Sequence, residues 1–209
     1  MKILLVGYGK INKMIHEMLE DEVVGIWDLN HHFLNSKPDI IIDFSHPDFL
    51  DYSLNKSMEY GCSLIIGTTG YKNEDLAKIS QYSKILPILK SDNFSIGINL
   101  LLKIFKDHNN VLNLYEKEII ETHHSKKLDS PSGTAIALAK ALETENISSI
   151  RIGDVIGIHD IILDNDSEII SIKHIVNNRK VFAEGAIIAA RWLENRAPGL
   201  YSFGDLYEL

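Results

Sequence analysis

The chain has 209 residues, 45% hydrophobic and 24% charged, with a formal net charge of −8. That length makes one large domain or two small ones and buries about 70% of its unfolded surface, so a core needs neither disulfides nor a structural metal. The composition excludes global disorder, the acidic balance argues against a nucleic-acid partner, and the single Cys62 excludes an internal disulfide and an all-cysteine zinc site. Apolar runs fall short of a membrane span, and the opening M-K-I-L-L-V-G is too short for a signal peptide. The expectation is a soluble, cytoplasmic protein with no membrane partner.

Strand and helix signals alternate through the first half. Ile3 to Val6 is a β-branched run bounded by Gly7 and Gly9. Lys10 to about Glu20 has helical spacing, with Ile11, Met14, Ile15, Met18 and Leu19 on one face. Apolar runs follow at Val23–Trp27 and Ile40–Phe44. Pro47 then suits a first helical position, and Gly61 closes that helix. Leu64–Ile66 is a strand ended by Gly67, Asn73 caps a helix through about Tyr82, and Ile85–Leu89 is another strand. Continuous apolar strands separated by helices predict a Rossmann-like parallel sheet covered on both faces.

The pattern changes after Ser95. Ile96 to about Phe105 is an apolar helix, Tyr115 to His124 an extended strand, and Pro131 to Leu142 a helix. Two long β-branched stretches between Arg151 and Val176 break at Asp164-Asn165-Asp166, a hairpin signal. Phe182 to Glu194 returns to helix. The fold class is α/β, with a second α+β domain built on a mixed or antiparallel sheet. We place that second domain over residues 97–184, and the first over residues 1–96 and 185–209. With no long linker, the boundaries fall in short connections at Asn93–Gly97 and Phe182–Gly185.

Two constellations carry chemistry. Gly7-Tyr8-Gly9 follows the first strand and opens the first helix, where tight turning and free N–H groups suit a pyrophosphate. Asn12 stands closest to the usual third glycine. Asp28 ends the second strand about 20 residues on, where a carboxylate binds the adenosine ribose. No Arg or Lys directly follows Asp28, which favours NADH over NADPH; His31, His32 and Lys10 remain as cationic candidates for a 2′-phosphate. Gly67-Thr68-Thr69-Gly70 ends a strand on the same carboxyl edge and suits a nicotinamide ribose or ring. An ordinary glycine-rich turn would look the same.

The second constellation runs from Glu121 to Thr134. Ser130 is a good N-cap and Pro131 fits the first helical position, which would leave the N–H groups of Ser132, Gly133 and Thr134 free for a carboxylate. His123, His124, Lys126 and Lys127 lie just upstream and suit proton donation beside an anion hole. His123-His124 lacks a third ligand at a recognisable spacing, so no metal is expected. Each member also has a structural reading, as a core histidine, a solvated lysine or a plain cap.

The segment H-H-x-x-K-x-D-x-P-S-G-T-A, His123 to Ala135, resembles the signature of the dihydrodipicolinate reductase family. Asp43-Phe44-Ser45-His46-Pro47, Gly67-Thr68-Thr69-Gly70, Asn93-Phe94-Ser95-Ile96-Gly97-Ile98-Asn99 and Phe182-Ala183-Glu184-Gly185-Ala186 resemble its other motifs, in order. The resemblance implies hydride transfer from NAD(P)H to a cyclic dicarboxylate with net loss of water, on the route to diaminopimelate and lysine. By that resemblance His123 is the acid/base histidine, Lys127 the proton donor, His124 a substrate contact, and Gly133 with Thr134 the carboxylate holder. The cofactor would meet Gly7, Tyr8, Gly9, Lys10, Ile11 and Asn12, then Asp28, then Gly67, Thr68 and Thr69, and finally Ser91, Asp92, Asn93 and Phe94. A homotetramer built through the sheet of the second domain is implied as well. The sequence departs from the family at its phosphate loop and at Asp92, and is shorter than most members, with deletions expected in first-domain loops. A different Rossmann oxidoreductase and a non-catalytic NAD-binding protein are the alternatives; the first leaves the histidine cluster unexplained, and the second needs only Gly7, Gly9 and Asp28.

Overall fold

Apolar runs punctuated by glycine become strands buried on both faces. The computed structural model describes residues 1–207. They form two units, Met1–Phe94 with the segment from Phe182 onward, and Ser95–Val181. The first unit opens with β1 (Ile3–Val6), α1 (Lys10–Met18), β2 (Val23–Trp27), β3 (His32–Leu34), β4 (Ile40–Asp43), α2 (Leu50–Tyr60), β5 (Ser63–Ile66), α3 (Asn73–Tyr82) and β6 (Pro87–Lys90). The second unit holds α4 (Ile96–Asp107), α5 (Asn109–Leu112), β7 (Glu116–His123), α6 (Gly133–Leu142), β8 (Ile147–Arg151), β9 (Ile158–Asp164) and β10 (Ile169–Ile175). The chain then runs through α7 (Lys180–Leu193) and β11 (Gly199–Tyr201). No helix among the described residues is long and apolar enough to cross a membrane.

The first sheet has seven strands in the order β11-β6-β5-β4-β1-β2-β3. All neighbours pair in parallel except β2 and β3. Every residue of β1, β4 and β5 is buried, as expected for strands covered on both faces. Because β1, β2, β4, β5 and β6 run the same way, the loops after them gather at one edge. The core on one side joins Leu4, Val6, Ile41, Leu54, Leu64 and Ile88 to Trp27, Phe49 and Tyr52.

Several local details differ from the sequence expectation. α1 stops at Met18, and a 3-10 turn over Glu20–Glu22 leads into β2. Pro47 opens a 3-10 turn ahead of α2, with the His46 ring accepting the Asp48 N–H; Gly61 does end α2, at φ +60°. β3 is an antiparallel edge strand whose three residues are all exposed, and β11 is equally short. Neither is long enough to show an alternation of apolar and polar residues.

α7 explains the F-A-x-G-A element. A Cβ on Gly185 would sit 1.8 Å from the Phe94 carbonyl oxygen, so the helix can approach that backbone only through glycine. The Phe94 ring itself is buried between Phe44 and Phe203, at 5.1 and 5.6 Å between centroids.

The second sheet has four strands in the order β10-β9-β7-β8. β9 pairs antiparallel with both β7 and β10, while β8 pairs in parallel with β7, so the sheet is mixed. Alternate residues of β7 face inward, namely Lys117, Ile119, Glu121 and His123. Ile119 joins Ile98, Phe105, Leu138, Leu142, Ile161 and Leu163 in the core between the sheet and the pair α4 and α6. Lys117 is buried at the far end, where Nζ donates to the Leu142 carbonyl at 2.6 Å and to Asn113 Oδ1. It thereby closes the carboxyl end of α6, where cations are favoured.

Candidate functional site

Gly7 is required by its backbone. Its φ is +77°, and a Cβ there would lie 2.8 Å from Phe44 and Ser45 backbone atoms. Asn12 holds the same loop from the helix side, its Nδ2 donating to the carbonyls of Val6 at 2.8 Å and Gly7 at 2.7 Å. Where the usual fingerprint draws helix and strand together with a third glycine, this chain ties them with a buried amide.

Gly9 is the N-cap of α1, which has no side-chain cap and no acidic residue in its first turn. A Cβ on Gly9 would meet nothing within 4 Å, so its open side is available to a ligand. A cavity of about 350 Å³ begins there, lined by Gly9, Lys10, Ile11, Phe44, Ser45, Gly67, Thr68 and Thr69. An uncapped helix end, a lysine and a glycine with open space beside it fit a pyrophosphate. Asp28 stands at the end of β2, and the Tyr8 and Asn30 N–H groups donate to its two oxygens at 3.0 Å each.

One buried carboxylate holds the opposite wall. Asp43 Oδ1 accepts from the Ser45 hydroxyl at 2.5 Å, the Ser45 N–H at 3.0 Å and the Thr68 hydroxyl at 3.0 Å. Its Oδ2 accepts from Ser53 at 2.5 Å. Burial raises the Asp43 carboxyl above its ordinary range, and these hydroxyls pull against that rise. Gly67 serves packing here, since a Cβ would meet the Phe44 ring at 2.1 Å.

Of the residues expected to meet a cofactor, Gly9, Lys10, Ile11, Gly67, Thr68 and Thr69 line this cavity together. Gly7, Tyr8 and Asn12 shape its floor loop. Phe94 is in the core, so its ring has no exposed face to offer. Ser91 and Asn93 close a turn on each other, with the Ser91 hydroxyl 2.7 Å from the Asn93 carbonyl. Asp92, unexplained in the sequence, is exposed and pairs with Lys90 at 2.6 Å. Phe44 and Ser45 line the cavity without having been assigned to it; the D-F-S-H-P motif was the available signal.

In the second unit, β7 ends in His123. The His123 Nδ1 lies 2.5 Å from Glu121 Oε2, two residues back on the same face of the strand. Arg151, across the pairing from His123 on β8, donates to both Glu121 oxygens at 2.9 and 2.7 Å. The Ser132 N–H donates to Glu121 Oε1 at 3.2 Å. Burial alone would raise the Glu121 carboxyl, but its hydrogen bonds to Arg151, Ser149 and His123 outweigh it and bring it to about 2. Burial lowers the His123 imidazole below its ordinary value, with Glu121 pulling upward and Lys127 and Arg151 downward.

The helix after this segment starts later than expected. Ser132, not Ser130, is the N-cap of α6, its hydroxyl accepting the Ala135 N–H at 3.2 Å, and the Ser130–Pro131 peptide is cis. The Ser132 N–H is therefore engaged by Glu121 rather than free. Gly133 is exposed, and a Cβ on it would meet nothing within 4 Å. Thr134 follows it in the first turn. His124 is half-buried, Lys126 is exposed, and Lys127 pairs with Asp129 at 2.8 Å while its N–H donates to the His124 carbonyl.

Sequence reasoning missed Arg151, His159 and His174. His159 of β9 is buried beside His123, ring centroids 5.4 Å apart, with Ser132 Oγ 3.5 Å from its Nε2. Burial pushes its imidazole down to about 4. His174 of β10 pairs with it across the sheet and meets Ser95, the N-cap of α4, at 3.2 Å. Nothing in a single strand signals these residues; they come together through strand register.

A Rossmann-type sheet with an anion-ready glycine turn, and a mixed sheet carrying a buried histidine beside a helix N-terminus, fit the class of two-unit α/β proteins with a dinucleotide-binding fold. The family model "Dihydrodipicolinate reductase, C-terminus" matches residues 97–207, and "Dihydrodipicolinate reductase, N-terminus" matches residues 23–94. The chain belongs to the dihydrodipicolinate reductase family. It is 38% identical over 211 residues to a 4-hydroxy-tetrahydrodipicolinate reductase of Thermosipho africanus, covering 99% of this chain and 97% of the relative. A protein of the same description from Brachyspira hyodysenteriae is 40% identical over 233 residues, covering 99% of each. In fold, the chain is similar to a dipicolinate-bound dihydrodipicolinate reductase from Paenisporosarcina sp. TG-14, with a TM-score of 0.82 at 21% identity over 97% of each chain.

Proposed function

We propose that this protein reduces 4-hydroxy-tetrahydrodipicolinate to tetrahydrodipicolinate with NAD(P)H and loss of water, a step toward diaminopimelate and lysine. The observation that carries the reading is the pairing of buried His123 with the open helix start at Gly133, through the carboxylate of Glu121. A dinucleotide, when bound, supplies the hydride. Gly9, Lys10 and the first amides of α1 hold its pyrophosphate, and Asp28 its adenosine ribose.

The remaining work falls to the second unit. The amides of Gly133 and Thr134 hold a substrate carboxylate, with His124 and Lys126 adding positive charge. Net loss of water with uptake of a hydride leaves one proton to be supplied to the ring, and His123 or Lys127 would give it. Burial lowers the His123 imidazole while Glu121 pulls it back up, so the ring that would exchange the proton is held between two opposing influences.

Finer features belong to the same proposal. Asp28 favours NADH, since a 2′-phosphate would face its carboxylate. A homotetramer would form through the second sheet, whose edge strand β10 exposes Ile169, Ile170 and Ile175. The lone buried thiol of Cys62 suits the reducing cytoplasm. The deciding experiment follows loss of reduced-nicotinamide absorbance with NADH, then NADPH, while the preceding synthase makes substrate from pyruvate and aspartate semialdehyde. Oxidation that depends on the synthase, faster with NADH, is expected. No oxidation by folded protein that still binds NADH overturns the reading. Light scattering on the same sample checks the tetramer.

A further inference from the structure

We infer that Glu121 is a positioning residue that, clamped by Arg151, fixes the His123 ring with its proton on Nδ1 and leaves Nε2 as the atom that exchanges protons. The inference rests on the reading of His123 as the acid/base group. An ionised carboxylate only accepts, at about four lone-pair positions. Glu121 is fully buried, so water cannot fill those positions, and an unpaired buried charge is costly. Arg151 fills one position on each oxygen, and the Ser132 N–H fills a second on Oε1. The Ser149 side chain is a further partner of this carboxylate, and His123 Nδ1 lies 2.5 Å from Oε2. Two acceptors cannot share that contact, so Nδ1 carries the hydrogen. In the neutral ring the lone pair is then on Nε2.

Arg151 does a second thing. A lone buried carboxylate would hold the imidazolium tightly and make His123 a poor proton donor. The guanidinium neutralises Glu121 in a two-pronged contact, so the ring is oriented without being locked in its charged form. The groups facing His123 are Glu121 on its own strand, Arg151 on β8, His159 on β9, and Lys127 from the loop before α6. Of these, only Glu121 favours the charged ring. The same carboxylate also holds the Ser132 N–H, at the N-cap of α6. One buried group thus sets both the acid/base ring and the helix start that receives the substrate. Space on the other side of the ring is kept by Gly157, where a Cβ would come within 3.1 Å of Nε2.

The test reads the ring before it reads turnover. Nitrogen-15 NMR of the wild-type protein, with His123 assigned by difference against His123→Asn, should show the Nδ1–H form when the ring is neutral. Finding the Nε2–H form overturns the inference, and this measurement needs no Glu121 variant to fold. In Glu121→Gln, kcat should fall about 10²-fold, a larger change than any rise in KM, with NADH affinity nearly unchanged. Its loss of activity on the alkaline side should move to lower pH, because the attraction that favours the charged ring is gone. Glu121→Asp should recover part of both. An unshifted pH profile in folded Glu121→Gln overturns the inference. Full turnover in His123→Asn would instead overturn the reading beneath it, while lost turnover there with the wrong ring form overturns the positioning alone.

Discussion

The two units build their sites from different materials. In the first, the cavity is mostly backbone and short hydroxyls, with Gly9 and Lys10 at a helix start, Gly67, Thr68 and Thr69 opposite, and one carboxylate, Asp43, bracing Ser45 and Thr68. In the second, long charged side chains meet across strands, with Glu121 shared among Arg151, His123 and Ser132. A backbone site suits a group such as a pyrophosphate, whose shape and charge stay the same throughout a reaction. Proton exchange needs groups that titrate, and these must be held by other side chains. The contrast predicts that damage to the two sites will separate cleanly into binding and turnover.

The largest effect expected is on turnover. His123→Ala and Lys127→Ala should each lower kcat by about 10²–10⁴-fold, with NADH affinity unchanged by fluorescence titration. Equal loss of NADH affinity would break the division of labour. Gly7→Ala should do the reverse. A left-handed φ of +77° with a Cβ 2.8 Å from Ser45 costs on the order of 1–3 kcal/mol, weakening NADH by about 10- to 100-fold while kcat at saturation survives. Gly185→Ala tests packing in the first unit alone. Its Cβ meets the Phe94 carbonyl, and the urea midpoint should drop by the equivalent of about 1–3 kcal/mol with no change in the reacting groups.

Smaller effects sharpen the same contrast. Asp28→Ala should shift the ratio of kcat/KM for NADPH over NADH upward by about tenfold, as a charged hydrogen-bond partner is lost to one cofactor and a repulsion relieved for the other. The smallest concerns acid stability. His159 is held near 4 in the folded protein against 6.5 for the free side chain. Between those values the unfolded chain takes up a proton that the folded chain refuses, so stability falls as pH drops from about 6.5 toward 4. His159→Gln should flatten that slope, read as urea midpoints at several pH values.

How much of this was visible in the sequence follows the same division. The backbone site was largely legible, because glycine spacing, strand order and Asp28 are local features in a fixed sequence order. The parallel sheet was legible for the same reason: β1, β4 and β5 are continuous apolar runs. Edge strands β3 and β11 were not, since three exposed or half-exposed residues carry no pattern. The cap of α6 was placed two residues early, because Ser130-Pro131 and Ser132 both fit a cap rule and only the bond from Ala135 to the Ser132 hydroxyl distinguishes them. His123, Lys127 and Gly133 stood out as a cluster along the chain. Arg151 and His159 did not, because they reach His123 by pairing of β7 with β8 and β9.

Asn12 has a consequence for descent. Its amide joins the Val6 and Gly7 carbonyls, doing by attachment what a third glycine does by absence. The genetic code offers no single-base step between asparagine and glycine; aspartate or serine must come between. Aspartate would bring an unpaired carboxylate against those carbonyls, and serine is too short to span both. The two ways of closing the loop are therefore separated by less fit intermediates, and a lineage that holds one tends to keep it. A search keyed to glycine spacing would pass over such a lineage although its loop does the same work.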